Sequence, residues 1–327
     1  MKILIDTVYL NSFGGRELQQ LVIDKLFELD AKDHFFFLLD TRSNVDIKGF
    51  KHLYCKPNLS SRKKFYNRNK GVFEKIICLS NIPPPIKISE KKVIIFFHNA
   101  LLLSNKISII SNYLKRIYIL IHSQVNYEWI VQTDYMKGLL SKKININDKR
   151  IHVYPFFRPT DKAYNIIKPS NEINLLYVTS NSSHKNNRRL ISGFKQADSK
   201  NKKITLYLTI DGKNLISKNK SIIYLGNISK EQLYKYYSLS HYLLYPSIIE
   251  SLGLPLIECL NFNCKILVSN AECFKDVIDP SSSFNPYSIK SIKETIEKVV
   301  NLNNIKPSRL LISNKLESFI NFIYKHV

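Results

Sequence analysis

Acidic side chains are scarce in this 327-residue chain: 26 Asp and Glu stand against 49 Lys and Arg, a formal net charge of +23. The excess is not a basic tail. Residues 1–160 carry 26 basic and 13 acidic residues (net +13), and the remainder carries 23 and 13 (net +10). A field of that sign attracts polyanions of any kind, whether nucleic acid, phosphorylated substrates or an anionic membrane, and does not choose among them. No nucleic-acid recognition motif accompanies the charge, so nucleic acid is not an expected partner. Long apolar runs are also missing; none approaches the ~20 residues that span a bilayer. The opening Met1-Lys2-Ile3-Leu4-Ile5-Asp6 reads as a strand start, too short in apolar length for a signal peptide. The five cysteines (Cys55, Cys78, Cys259, Cys264, Cys273) have no metal-knuckle spacing, and an odd, scattered set fits free thiols in a reducing cytoplasm. There is no Asp-x-Asp metal signature, no internal repeat and no low-complexity segment.

What is present is the material of a folded α/β protein. Hydrophobic residues make up 44%, and the length suffices for two domains with a core each. Short apolar runs alternate with helical periodicity. Residues 2–6 read as a buried strand, Asn11-Ser12-Phe13-Gly14-Gly15 as the loop after it, and residues 16–29 as a helix, the opening of a doubly wound domain. Further strands are expected at His34–Leu39, Phe73–Leu79, Lys91–Phe97, Trp129–Thr133 and Arg150–Phe157, with helices over 106–127 and Asp134–Leu140. A second half begins near Ser170. Its strands are expected at Leu175–Thr179, Lys203–Ile210, Ile222–Asn227, Tyr242–Tyr245 and Lys265–Ser269. Helices are expected around Leu190–Phe194, over Glu231–Ser240, from Pro255 onward, over 288–300 and over 307–326, with Asp276–Pro286 as loop. Residues 57–70 hold five basic residues (Arg62, Lys63, Lys64, Arg68, Lys70) with Phe65 and Tyr66 among them. That mixture reads either as a solvated loop or as a surface for RNA or an anionic membrane.

The chemistry concentrates between Tyr245 and Glu258, Tyr-Pro-Ser-Ile-Ile-Glu-Ser-Leu-Gly-Leu-Pro-Leu-Ile-Glu. Pro246 and Ser247 end a strand, and Gly253 and Pro255 mark a turn into a helix, where proline costs no hydrogen bond. Glu250 lies in the loop and Glu258 about one turn into the helix. Between them the N–H groups of Ser251, Leu252 and Gly253 offer a seat for phosphate. Carboxylates accept two hydrogen bonds each and suit sugar hydroxyls. The spacing therefore suggests a nucleotide sugar, with phosphates on the turn, a ribose at one end and a hexose at the other.

This stretch resembles the Glu-x7-Glu signature of family 4 retaining glycosyltransferases, of the group 1 type, which have the GT-B fold. The resemblance is specific in the second half, where the Lys185-Asn186 unit, Leu225-Gly226, Pro246-Ser247 and the two glutamates occur in order; it is loose in the first. It implies an α/β architecture of two Rossmann-like parallel-sheet domains facing a cleft. Residues 1–165 would be the acceptor-side domain, 166–310 the nucleotide-sugar domain, and 311–327 a helix crossing back to the first. It implies a donor site of Gly14, Gly15, Lys185, Glu250, Ser251, Leu252, Gly253 and Glu258. Lys185 would hold the pyrophosphate, Glu250 the donor sugar and Glu258 the ribose. With Glu250 and Lys185, His98, at the carboxyl end of a strand, completes the catalytic set. An Arg common in the family's Lys loop is replaced by Ser180, with Arg188 and Arg189 further on. No metal or other cofactor is implied beyond the nucleoside-diphosphate sugar as co-substrate.

The expected reaction is transfer of a hexose, with retention, to a hydroxyl of a glycan or polyprenyl-linked acceptor in surface-polysaccharide (O-antigen or capsule) synthesis. The protein is expected in the cytoplasm, peripheral on an anionic membrane through Arg62, Lys63, Lys64, Phe65, Tyr66, Arg68 and Lys70. A non-catalytic partner subunit of the same fold and a nucleotide-sugar 2-epimerase are the alternatives.

Overall fold

The structure, a computed structural model, describes residues 2–11, 13–88, 92–104, 110–160, 166–169, 171–198, 202–218, 220–301 and 305–325. Ser12 of the expected first loop, Lys91, residues 106–109 of the helix expected over 106–127, Ser170, and His326 of the helix expected over 307–326 lie outside the described residues. The chain divides into two compact units, Met1–Arg158 with Ser313–Val327, and Pro159–Ile312.

In the first unit the chain order is β1 (Ile3–Asp6), α1 (Phe13–Glu28), β2 (Phe35–Asp40), β3 (Lys51–Cys55), α2 (Leu59–Arg68), β4 (Lys75–Cys78), β5 (Lys92–Phe96), α3 (Ile110–His122), β6 (Glu128–Val131), α4 (Asp134–Ile144) and β7 (Ile151–Val153). The strands form one parallel sheet ordered β3-β2-β1-β4-β5-β6-β7. Helices on both faces of such a sheet bury its central strands on both sides; β1 and β4 are buried along their whole length. Leu18, Leu21, Val22 and Leu26 recur at helical spacing on α1 and bury against them.

The second unit runs β8 (Glu172–Tyr177), α5 (Asn187–Gln196), β9 (Lys203–Leu208), β10 (Leu215–Ile216), β11 (Lys220–Tyr224), α6 (Lys230–Leu239), β12 (Tyr242–Tyr245), α7 (Leu254–Leu260), β13 (Lys265–Ser269), β14 (Ile278–Asp279), β15 (Ser282–Phe284), α8 (Ile289–Asn301) and β16 (Arg309–Leu310). Its main sheet is ordered β10-β11-β9-β8-β12-β13-β15, parallel except for the β10 edge. Leaving out β10, both units share one winding: outward on one side of the first strand, then back across to the other. The chain ends in α9 (Leu316–Lys325), which buries Phe319, Ile320, Phe322 and Ile323 in the first unit's core. Lys75 Nζ reaches the Ile323 carbonyl at 3.0 Å, a cation at the negative end of that helix.

Several expectations change. The Gly14-Gly15 pair is not in the loop after β1 but in the first turn of α1. A Cβ on Gly14 would meet nothing within 4 Å, so packing does not demand glycine there. The 307–326 segment is not one helix: Arg309–Leu310 pair with Ile278–Asp279 as β14·β16, and only the stretch from Leu316 onward is helical. The Asp276–Pro286 loop thereby contains β14 and β15. β3 is absent from the expected strands because four of its five residues are exposed on the sheet edge, so no apolar pattern marks it.

Residues 57–70 are the largest correction. Leu59–Arg68 is helix rather than loop, and three of the seven singled-out residues are not surface. Asn58 caps α2, its side chain accepting from Ser61 N at 2.8 Å. Arg62, Phe65 and Tyr66, spaced i, i+3, i+4, turn inward and are buried, while Lys63, Lys64, Arg68 and Lys70 are exposed. Arg62 is completely buried because it has a partner. Its Nε donates to Asp6 Oδ2 at 2.8 Å, Nη1 to the Pro83 carbonyl at 2.7 Å, and Nη2 to the Ile82 carbonyl at 3.3 Å. Tyr66 donates to the same Asp6 oxygen at 2.8 Å. Among the described residues no helix is long and apolar enough to cross a membrane.

A buried carboxylate stripped of its guanidinium is strongly unfavourable. Arg62→Ala is expected to lower the unfolding free energy by about 3–5 kcal/mol in urea titration, whereas Lys63→Ala, one residue along, changes it by less than ~0.5 kcal/mol.

Candidate functional site

In an open parallel sheet, ligands settle where the winding reverses, outside the carboxyl ends of the two diverging strands. In the second unit these strands are β8 and β12. The loop after β8 carries Lys185; the loop after β12 carries Glu250. The two loops are stitched together by their backbones, Ile248 N donating to the His184 carbonyl at 2.9 Å. Asn186, buried and in the left-handed conformation (φ 60°), donates from its amide to the Pro286 carbonyl at 2.6 Å and the Pro246 carbonyl at 3.3 Å. From below, the Tyr177 hydroxyl donates to the Lys185 carbonyl at 2.6 Å and lies 3.2 Å from Ser247 Oγ. Ser269 Oγ, at the end of β13, donates to the Ser247 carbonyl at 2.6 Å.

On this frame Lys185 Nζ donates to Glu250 Oε1 at 2.6 Å and to the Tyr245 hydroxyl at 3.4 Å, and sits 5.3 Å over the Tyr245 ring. The two charged side chains are 16% and 15% exposed, sheltered yet reachable. Burial, with the nearby Glu250 carboxylate, keeps the Tyr245 hydroxyl far above its usual titration range, so it remains a donor. Gly253 follows with φ 80°, and a Cβ there would come within 3.0 Å of Leu256; only glycine takes that turn without strain. Ser251 is partly exposed, while the Leu252 side chain is buried, leaving only its backbone to address a ligand. Glu258 lies on α7 and accepts from the Tyr237 hydroxyl at 3.1 Å. Arg188 and Arg189 are exposed on α5, Arg189 turning back to Asn186 Oδ1 at 3.1 Å. The structure therefore brings Lys185 and Glu250 into direct contact and sets Glu258 on the helix that follows their turn. Tyr245, Tyr177, Asn186 and Ser269 complete the frame. Periodicity alone gave no reason to single them out, because each reads as strand or loop material.

In the first unit the winding reverses between β1 and β4. A cavity of ≈ 360 Å³ opens there, with Tyr9, Asn81, Asn99, Lys115 and Tyr118 in its wall. His98 adjoins it, just past β5. Its backbone N–H donates to Asn81 Oδ1 at 2.6 Å, and its ring stacks on Phe96 at 5.0 Å. Burial pushes the His98 imidazole down to about 4, so the ring is neutral near pH 7. Gly14 and Gly15 open α1 in the same unit. Among the described residues no group of three or more His, Cys, Asp or Glu is placed to hold a metal ion.

The shift of His98 sets a pH dependence. The unfolded ring, near 6.5, binds a proton that the folded ring refuses until about pH 4. Stability therefore falls as pH drops through that window. Unfolding free energies from denaturant titrations between pH 7 and pH 4 should drop more for the wild type than for His98→Gln, by about 2–3 kcal/mol at the acid end.

Comparison with known proteins relates the segment that carries Lys185 and Glu250 to a family. The family model described as Glycosyl transferases group 1 matches residues 161–317, which include both β8 and β12 loops. The O-antigen chain mannosyltransferase RfbU of Salmonella typhimurium is 27% identical over 175 residues, which cover 51% of this chain and 49% of that protein. The alignment thus spans about half of that curated relative. Among solved structures, a sucrose-phosphate synthase from Thermosynechococcus elongatus superposes with TM-score 0.70 at 13% identity, covering 92% of this chain and 90% of the other. WaaG, a glycosyltransferase involved in lipopolysaccharide biosynthesis, superposes with TM-score 0.68 at 11% identity over 98% and 99% of the two chains. At such identities the structures speak for the fold alone. Residues 161–317 are thus similar to the glycosyl transferases group 1 family, and the chain that carries them has the GT-B fold.

Proposed function

We propose that this protein is a retaining glycosyltransferase that moves a hexose-type sugar from a nucleoside-diphosphate sugar to a hydroxyl of a lipid-linked glycan. Surface-polysaccharide synthesis of the O-antigen kind is the setting. The observation that carries the reading is the 2.6 Å contact of Lys185 with Glu250 at the β8/β12 switch point. A cation for a diphosphate and an acceptor for sugar hydroxyls stand side by side there, within the segment that the family model matches. In the reaction the anomeric carbon exchanges its bond to the diphosphate oxygen for one to the acceptor oxygen. The acceptor's proton balances the charge released on the diphosphate. Lys185 and the backbone of the Ser251–Gly253 turn stabilise that charge as it develops, which is where fixed donors contribute most to rate. Glu250 orients the sugar, Glu258 the ribose, and His98 contributes a neutral ring. No metal is involved in this reading, and turnover is expected to persist in EDTA.

The acceptor's head group is assigned to the 360 Å³ cavity of the first unit, where asparagines and tyrosines suit glycan hydroxyls and Lys115 suits a phosphate. The membrane contact moves from α2 to α3. α3 and the turn after it expose Tyr113 (64%), Leu114 (62%), Leu120 (51%), Ile121 (62%) and Val125 (96%), an apolar face that a water-facing helix lacks. Leu114 and Lys115 also wall the cavity, so a lipid-linked head group would enter beside the face that meets the lipid. Ser180, standing where relatives often carry an arginine, favours a second reading in which the fold binds a nucleotide sugar without transferring it.

The test is a thermal-shift screen against UDP, GDP, dTDP and their common sugars. One nucleotide is expected to raise the melting point, by about 2.7 kcal/mol of stability at a hundredfold excess over its dissociation constant. Lys185→Ala and Glu258→Ala should lose the shift. A shift without turnover on any glycan acceptor supports the binding subunit instead, and no shift with any nucleotide overturns the donor site. For the membrane, sedimentation with phosphatidylglycerol-containing vesicles at low salt should be abolished by Leu114→Glu with Ile121→Glu. Equal sedimentation of that variant and the wild type removes α3 from the reading.

A further inference from the structure

The buried Arg62 has a consequence that reaches His98. Its guanidinium grips the Ile82 and Pro83 carbonyls while paired to Asp6. The Pro83 carbonyl also accepts from Tyr118 of α3 at 3.4 Å. The loop after β4 is thus clamped to the end of β1 and to α3, and Asn81 stands at its start. Asn81 is 8% exposed and holds φ 71°. Asparagine is among the few side chains that occupy that left-handed region readily.

The orientation of the Asn81 amide follows from chemistry alone. The backbone N–H of His98 can only donate, so the atom 2.6 Å from it is the carbonyl oxygen Oδ1. The Asn81 Nδ2 group then faces His98 Nε2 at 3.4 Å. An amide NH2 has no acceptor to offer, so Nε2 must be the acceptor in this contact and carries no hydrogen. In a neutral imidazole the proton is then on Nδ1. Phe96, stacked on the ring at 5.0 Å, fixes its plane. The two hydrogen bonds to Asn81 and this stack together specify both the orientation and the tautomer.

We propose that Asn81 is a positioning residue that sets the tautomer of His98, holding Nε2 as an acceptor and the proton on Nδ1, with the Asp6–Arg62 pair anchoring the loop that carries it. The consequence for function rests on the transferase reading, in which His98 addresses the donor sugar. In this tautomer Nε2 is turned to the Asn81 amide and Nδ1 is buried, so neither nitrogen is offered to the donor as a base, and the contribution of the ring is one of shape and orientation. Asn81 also walls the acceptor cavity, so one side chain holds the histidine while bordering the acceptor's seat.

The experiment reads the ring nitrogens directly in the full-length protein. Two-bond 15N–1H correlation spectra of histidine-labelled protein at pH 7, with His98 identified by its absence in His98→Gln, report which nitrogen is protonated. The wild type is expected to show a proton on Nδ1 and none on Nε2. Asn81→Asp keeps the shape and the left-handed backbone but puts a carboxylate oxygen opposite Nε2, and is expected to move a proton onto Nε2. Asn81→Gly keeps the backbone freedom without the amide, and is expected to give a mixture of tautomers. Where turnover is established, Asn81→Asp should lower kcat/KM by roughly tenfold, the worth of one misdirected hydrogen bond. A wild-type His98 protonated on Nε2, or an unchanged Nε2 in Asn81→Asp, overturns the proposal. Because the spectra need no donor or acceptor, they fail or succeed independently of the transferase reading.

Discussion

A parallel sheet wound in both directions must separate a pair of strand ends that are neighbours in space, and no crossover covers the gap between them. That constraint acts twice in this chain, between β1 and β4 and between β8 and β12. Each opening collects the polar residues that the packed sheet could not accept. In the second unit these are Lys185 and Glu250. In the first they are Tyr9, Asn81 and Asn99, with Asp6 and Arg62 beneath. Apolar strands make the core, and the places where strands must end make the chemistry.

The two openings solve the problem of sheltered charge differently. Asp6 and Arg62 are wholly buried and well hydrogen-bonded: the carboxylate accepts from Arg62, Tyr66 and Val8 N, and the guanidinium reaches two carbonyls. Replaced together by well-packed apolar groups, such a pair need not cost stability. Its value is geometric, because it fixes the loop on which Asn81 stands. Lys185 and Glu250 retain some exposure and lie on two different loops, so their contact can be exchanged.

The sequence disclosed the second unit better than the first, for physical reasons. The Pro246–Glu258 turn is dense in residues with few conformational options, and Gly253 at φ 80° shows why one of them must be glycine. Buried strands such as Tyr242–Tyr245 announce themselves by unbroken apolar runs. α2 did not, because its inward face carries an arginine and a tyrosine, and a count of charges treats a buried arginine like a solvated one. The signals were the Asn58 cap and the 62, 65, 66 spacing. They become persuasive only with a partner for Arg62, and Asp6 lies 56 residues away. Two-residue strands such as β14 and β16 are set by pairing between distant segments and have no local pattern. The place of His98 past β5 was readable from the strand before it. Its tie to Asn81, 17 residues earlier, was not.

The Lys185–Glu250 pair also bears on how a donor could enter. A lone ammonium or carboxylate in a sheltered turn is costly, and each compensates the other while no ligand is present. On the proposed reading a diphosphate takes over Lys185 and sugar hydroxyls take over Glu250, so neither charge is left unpartnered at either end of the exchange. Only the difference between the two sets of contacts is then available for binding. The Tyr177, Asn186 and Ser269 hydrogen bonds beneath the turn matter for the same reason: they hold both loops while the pair between them is broken. A frame that does not relax leaves little to reorganise, and fixed donors aimed at developing charge are the arrangement that accelerates transfer.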